Sequence, residues 1–169
     1  MIQTALEYPN QFHLSAASGW VDLGNFKEAA RELARVDGRF WNHPDVLEMR
    51  WVLHTANGHW EQSINIATQM VLAAPERPEG WIHRAYSLRR APQGGLEAAW
   101  DSLHPALKAF PEEPTIHYNL SCYACQMNRM DEARILLKSA LKVGNKNIIK
   151  QKALQDSDLE PLWQEIVSY

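Results

Sequence analysis

One spacing between residues recurs along the chain, and it limits the possible folds more than any other feature of the sequence. Four turn residues share it: Gly24, Gly58, Gly94 and Asn128. They lie 34, 36 and 34 residues apart, and each precedes a small side chain in an apolar run. Those small side chains and three prolines keep the same period: Ala29, Ser63, Ala99, Ala133, Pro44, Pro78 and Pro114. Because independent residue classes recur together, the chain is predicted to be a tandem array of one structural unit.

Each unit is predicted to contain two amphipathic helices joined by a tight turn. Phe26, Ala29 and Leu33 fall three and four residues apart, which places them on one helical face. A Gly or Asn at the turn supplies the left-handed conformation that ends a helix, and a proline fits the first turn of the next one. No segment alternates with period two for long enough to predict a strand. The predicted fold class is therefore all-α.

The repeating units resemble the tetratricopeptide repeat (TPR). The resemblance is clearest in the last unit, where the residues are Tyr118-Asn119-Leu120-Ser121-Cys122-Tyr123 followed by Asn128-Arg129-Met130-Asp131-Glu132-Ala133. The third unit carries Trp81-Ile82-His83-Arg84-Ala85 at the matching positions. The second unit departs from the pattern, since it has Trp51 where the pattern has a small side chain. The resemblance implies a right-handed α-solenoid of about four helix-turn-helix repeats, closed by a C-terminal capping helix.

We predict a single TPR domain over residues 1–169. The predicted repeats span about residues 10–43, 44–77, 78–113 and 114–147, and the cap spans 148–169, with Asp158 as an N-cap. The third repeat has two extra residues at its turn, around 91–95. Most tryptophans follow the apolar stripes, so we expect Trp20, Trp60, Trp81 and Trp100 in the core.

Composition excludes several classes of protein. Seventeen Lys and Arg face 20 Asp and Glu, and this net charge of −3 disfavours nucleic acid and anionic membrane surfaces as partners. Two cysteines cannot build a disulfide framework. No window approaches the length of a membrane span, and the N-terminus lacks a secretory signal. We therefore expect a cytoplasmic protein, which resembles the small stand-alone TPR proteins of bacteria.

The resemblance also implies a concave groove, lined by the first helix of each repeat, that holds a peptide. The groove positions are Glu48, Val52, Thr55, His83, Tyr86, Arg89, Arg90, Tyr118, Asn119, Cys122 and Gln126. The third repeat contributes arginines beside Tyr86, which could hold an acidic peptide because Arg binds carboxylates with two hydrogen bonds. The alternative, which we favour slightly, is that these arginines cover apolar surface with their stems and face water.

Arg50 and Arg84 lie 34 residues apart at a repeat position that normally holds a buried Leu. A buried guanidinium needs a partner. We favour a structural interpretation, in which each arginine forms an internal ion pair or stacks on a tryptophan. The functional alternative is an anion site between the second and third repeats.

The sequence provides no recognisable catalytic set. Cys122 and Cys125 form one isolated CxxC motif in the middle of a helix, which favours packing over metal or redox chemistry. We find no zinc-protease, phosphate-loop, dinucleotide or serine-hydrolase motif. We therefore predict no enzyme activity, no cofactor and no metal.

The function predicted from these residues is a scaffold or adaptor that binds an unidentified protein or peptide in its groove. One alternative is a chaperone like the TPR chaperones of type III secretion, which usually form dimers, so a homodimer stays open. A second alternative is an RNA-binding helical repeat protein, which the net charge disfavours.

Overall fold

A computed structural model describes residues 5–169 of the chain. Its α-helices are α1 (Asn10–Asp22), α2 (Phe26–Leu33), α3 (Pro44–Ala56), α4 (Trp60–Ala73), α5 (Pro78–Arg90), α6 (Leu96–Leu103), α7 (Ala106–Ala109), α8 (Pro114–Gln126), α9 (Met130–Val143), α10 (Lys146–Ala153) and α11 (Trp163–Ile166). Short 3-10 helices occur at Gly38–Phe40 and Ser157–Leu162. No strand occurs within these described residues.

Successive helices pack in pairs. Helix α1 packs on α2, α3 on α4, and α8 on α9, with short turns between the two members of each pair. Helix α10 packs on α9 and begins a helical cap that continues to α11. The predicted all-α class of tandem helix pairs with a C-terminal cap is thereby confirmed. None of the helices within residues 5–169 is long and apolar enough to cross a membrane.

The turns between paired helices use the predicted residues, with one exception. Gly24, Gly58 and Asn128 have φ angles of 71°, 69° and 62°, in the left-handed region. In the third unit Gly95, and not Gly94, takes the positive φ of 112°, because the longer turn shifts this role by one residue. Gly94 is required for another reason, since a Cβ there would lie 1.8 Å from the carbonyl oxygen of Leu88.

The small repeated side chains allow close helix contact. Ala29, Ser63, Ala99 and Ala133 are completely buried. In the last pair, the Ser121 hydroxyl on α8 donates a 2.9 Å hydrogen bond to the Ala133 carbonyl on α9. The prolines open α3, α5 and α8, as predicted.

The chain divides into two compact units. The N-terminal unit is Met1–His83 and the C-terminal unit is Arg84–Tyr169, so the division falls within α5. One core cluster of the N-terminal unit contains Ala17, Leu33, Val36 and Val46, and another contains Leu47, Ile66 and Met70. The single domain and its repeat boundaries stay predictions, and residues 1–4 of that domain lie outside the described part of the chain.

Two local predictions are wrong. Trp20 is 37% exposed, because it lies near the end of α1 where few other residues cover it, so it does not belong to the core. Asp156, not Asp158, caps the 3-10 helix of the cap, since its Oδ1 accepts a 3.0 Å hydrogen bond from the Asp158 N–H. The carboxylate of Asp158 is therefore available for a different contact.

Candidate functional site

A cavity of about 220 Å³ in the C-terminal unit gathers much of the predicted groove. Its lining residues come from α5, α8, α10 and the segment that follows α10: Tyr86, Arg89, Arg90, Tyr118, Asn119, Cys122, Tyr123, Lys152, Asp156 and Asp158. Of the predicted groove positions, three that line this cavity lie on α5 and three lie on α8. They converge because residues three or four apart share one face of a helix.

The acidic segment before α11 packs against this cavity. Arg89 binds Asp158 with two parallel hydrogen bonds, of which Nη2 to Oδ1 measures 2.7 Å. Gln126 donates from Nε2 to the Asp158 carbonyl at 3.0 Å. The ion pair raises the pKa of Arg89 above its ordinary value. Arg89 and Gln126, predicted as groove residues, therefore hold the chain's own cap.

Asp156 receives two further hydrogen bonds from α8. The Tyr118 hydroxyl donates to its Oδ2 at 2.9 Å, and the Cys122 thiol approaches the same oxygen at 3.6 Å. Burial, together with the neighbouring negative charge, raises the pKa of both Tyr118 and Cys122 well above their ordinary values. Both groups are therefore protonated at neutral pH, and the Cys122 thiol is a poor nucleophile.

Cys122, Asp156 and Asp158 are close enough to share a metal ion, since their ligand atoms lie within 4.8 Å of one another. Their chemistry argues against that use. The guanidinium of Arg89 already neutralises Asp158, and the thiol would have to lose its proton before it could bind. The donor set fits a hydrogen-bonded cluster better than a metal site.

The remaining lining side chains present positive charge over aromatic rings. The Arg90 guanidinium lies 3.5 Å from the centre of the Tyr86 ring, and the Lys152 ammonium lies 4.2 Å from the centre of the Tyr118 ring. Arg90 also donates to the Tyr86 carbonyl at 3.2 Å. Within residues 5–169, no carboxylate forms an ion pair with Lys152, and the Asn119 amide has no hydrogen-bond partner. Lys152 is not among the predicted groove residues, because it lies in the predicted cap.

The other predicted groove residues lie in the N-terminal unit. The His83 ring stacks on Trp51 with centroids 3.7 Å apart, and His83 Nε2 lies 3.9 Å from Glu48 Oε1. His83 lowers the pKa of Glu48, and Arg77 adds a contact at 3.6 Å.

Val52 and Thr55 follow on the same helix, α3. Both are partly buried, and the Thr55 hydroxyl donates to the Trp51 and Val52 carbonyls at 3.0 and 2.9 Å. These bonds turn the hydroxyl toward its own helix. A single groove that joins these positions to the cavity of the C-terminal unit stays a prediction.

Arg50 and Arg84 each have partners within their own unit. The Arg50 guanidinium lies 4.9 Å from the centre of the Trp41 ring and donates from Nη1 to the Trp41 carbonyl at 3.1 Å. Arg84 donates to the hydroxyl and the carbonyl of Ser102 at 2.8 and 3.2 Å. Stacking on a tryptophan was one of the structural roles expected for these arginines. A shared anion site stays a hypothesis.

Two solved structures have folds similar to that of this chain. The chain resembles TTC0263, a thermophilic TPR protein of Thermus thermophilus, with a TM-score of 0.74, 19% identity, and coverage of 93% of this chain and 82% of that one. It also resembles the MamA RS-1 ArsTM double mutant, with a TM-score of 0.67, 14% identity, and coverage of 84% and 79%. No family model matches the sequence, and no curated protein does. The chain therefore has the fold of TPR-type repeat proteins.

Proposed function

We propose that this chain is a non-catalytic scaffold that binds an acidic peptide of another protein at the cavity of the C-terminal unit. The observation that carries the proposal is the arrangement of Arg90, Lys152 and Asn119 around that cavity. Arg90 and Lys152 supply positive charge, and Asn119 supplies an amide that can bond a peptide backbone. The resemblance to TPR-type folds supports a protein-interaction role in general terms.

The size of the cavity favours a side chain over a cofactor. Pockets that enclose drug-sized ligands measure about 300–1,000 Å³. The present cavity, at about 220 Å³, suits one or two acidic side chains of an extended peptide. The rest of such a peptide would lie across α5 and α8.

The aromatic rings prepare the cations for binding. A guanidinium or ammonium over a ring is held by the ring quadrupole, so less side-chain freedom is lost when a ligand arrives. Arg89 has a structural role and is not one of the cations that bind the peptide. Its ion pair with Asp158 anchors the cap, which closes one side of the cavity.

The test is fluorescence anisotropy with a labelled library of extended peptides that contain Asp and Glu, compared with the same peptides carrying Asn and Gln. We expect micromolar binding, about −8 kcal/mol, for selected acidic peptides. The double variant Arg90→Gln, Lys152→Gln should weaken binding at least about tenfold, because both cations are lost. The matched control is Lys27→Gln, Arg31→Gln, which removes the same charge from the exposed face of α2. Equal binding by both double variants, or by the neutral peptides, would refute the proposal.

We also propose that the protein acts in the cytoplasm. The support is chemical, since Cys122 and Cys125 are both free thiols and both are buried. Fractionation of cells that express the full-length protein would test this location, and recovery in a secreted fraction would contradict it. Light scattering of the purified protein would decide whether it forms the homodimer that the sequence leaves open.

A further inference from the structure

We propose that the N-terminal unit carries a second binding site, for a monocarboxylate attached to an apolar group. The site is a cavity of about 320 Å³ in this unit, with walls from α2, α3 and the turn after each. Its lining residues are Ala30, Leu33, Ala34, Trp41, Arg50, Leu53, His54, Asn57 and His59. It contains none of the residues of the proposed peptide site.

One side of this cavity carries the guanidinium of Arg50, which has no acidic counter-charge among the described residues. Arg50 uses a single hydrogen bond, to the Trp41 carbonyl, although a guanidinium has five N–H donors. No Asp or Glu lines the cavity, and within residues 5–169 no carboxylate forms an ion pair with Arg50. His54 and His59 lie beside it with ring centroids 5.7 Å apart.

The pKa shifts of Arg50 and His54 are those expected around a partly buried, uncompensated positive charge. Burial lowers the pKa of Arg50. Burial, His59 and Arg50 together lower the pKa of His54. An arginine side chain that is removed from water normally has an acidic partner. A half-buried arginine with unused N–H donors is therefore a candidate for binding an anionic ligand. Arg84 makes a useful contrast, since its guanidinium bonds both the hydroxyl and the carbonyl of Ser102.

The other side of the cavity is apolar. Ala30, Leu33, Ala34 and Leu53 supply aliphatic carbon, and the Trp41 ring supplies an aromatic surface under the guanidinium. A phosphate-rich ligand would gain little from such walls. A ligand with one carboxylate and a hydrocarbon body satisfies both sides, because the carboxylate meets Arg50 while the body leaves water. The C-terminal residue of a peptide and a free aryl or alkyl carboxylate share this chemistry.

Isothermal titration calorimetry of the full chain tests the site, with phenylacetate and phenylacetamide as probes. We expect phenylacetate to bind at least about tenfold more tightly than its neutral amide, because only the carboxylate pairs with Arg50. Arg50→Gln should lose at least about tenfold in phenylacetate affinity, and Arg50→Lys, which keeps the charge but loses the planar guanidinium, should bind phenylacetate with an affinity between those of Arg50→Gln and the wild type. Arg31→Gln, the matched control on α2, should bind as the wild type does.

A second variant and the pH dependence guard against an effect on folding alone. A bound carboxylate favours protonated His54, so phenylacetate affinity should rise as the pH falls from about 7.5 to about 5.5. The charged or titratable groups that face His54 are His59 and Arg50. His54→Gln should reduce the pH dependence without removing binding. Circular dichroism must show that each variant keeps its helix content.

One peptide, compared with phenylacetate, distinguishes the two possible sources of the ligand. Acetyl-Gly-Phe with a free carboxylate should bind more tightly than phenylacetate if the natural ligand is a peptide C-terminus, and less tightly if it is a small acid. The Arg90→Gln, Lys152→Gln variant should bind phenylacetate normally, so this test is independent of the proposed peptide site. The proposal is overturned if phenylacetate and phenylacetamide bind equally or not at all, or if a folded Arg50→Gln variant binds as the wild type does.

Discussion

The ion pair between Arg89 and Asp158 should be a principal stabilising contact of the C-terminal unit, and a double-mutant cycle can measure it. The perturbations are Arg89→Met, Asp158→Ala and the two together. Methionine keeps the apolar stem of the arginine, so the variant removes the charge with little loss of packing. Alanine removes the carboxylate and leaves the backbone of Asp158, whose carbonyl accepts from Gln126.

The expected magnitude follows from the geometry and the burial. The guanidinium and the carboxylate form two parallel hydrogen bonds, and the side chains are 24% and 20% exposed. Removal of one partner from a fully buried pair costs about 3–5 kcal/mol, because the other charge stays desolvated. Partial access to water should reduce this to about 2–3 kcal/mol for each single variant, with a coupling energy of about 2 kcal/mol. For a chain of this length, each single variant should lower the Tm by about 4–12 °C.

Urea denaturation followed by circular dichroism would measure these free energies of unfolding, with Tm values from thermal scans. The matched control is the cycle of Arg31→Met and Glu28→Ala on α2, an i,i+3 pair whose side chains are 62% and 34% exposed. Its coupling energy should be at most about 0.5 kcal/mol, because water screens exposed pairs. Equal coupling energies in the two cycles would contradict this expectation, and so would single variants of the Arg89 pair that are as stable as the wild type.

Three further predictions concern the core, the pH dependence and the thiols. Ala133→Leu should lower the free energy of unfolding in urea by about 1–3 kcal/mol, because the buried alanine leaves no room between α8 and α9; an unchanged midpoint would contradict this. His83 holds the pKa of Glu48 below the ordinary 4.5, so this carboxylate contributes stability above pH 4.5 that is lost as the pH falls through its lowered pKa. Glu48→Gln should therefore flatten the acid side of the stability curve, and an unaltered slope would be the contrary result. Burial raises the pKa of Cys122, so this thiol should react with a disulfide reagent at neutral pH only when urea unfolds the chain, and rapid labelling of the native protein would refute its burial.

Much of the fold could be predicted from the sequence because its signals are local. Pro44 opens a helix, Gly24 and Gly58 end the first member of a pair, and Ala133 lies where two helices touch. Each of these roles depends on the φ preference or the size of one residue and on neighbours within one repeat. The period of the repeat then joins these local signals into one architecture.

The candidate sites could be predicted only in part, because their partners lie far apart in sequence. Tyr86, Arg90 and Asn119 were identified from helical spacing and the resemblance to TPR proteins. The partner of Arg89 lies 69 residues away in the cap, and Lys152 joins the cavity from α10. No periodicity carries such information, since a contact between distant segments depends on how their helices pack.

The paired helices, their turns and their buried small residues can be predicted from the amino-acid sequence, because they follow from backbone preferences and apolar spacing. The partners of the polar groups depend on how the helices pack in three dimensions. Asp158 pairs with Arg89 and does not cap a helix, while Arg50 stacks on Trp41, bonds the Trp41 carbonyl and lines a cavity. The physical reason is that the energy of a charge depends on its distance to other charges and to water, and both are set by folding.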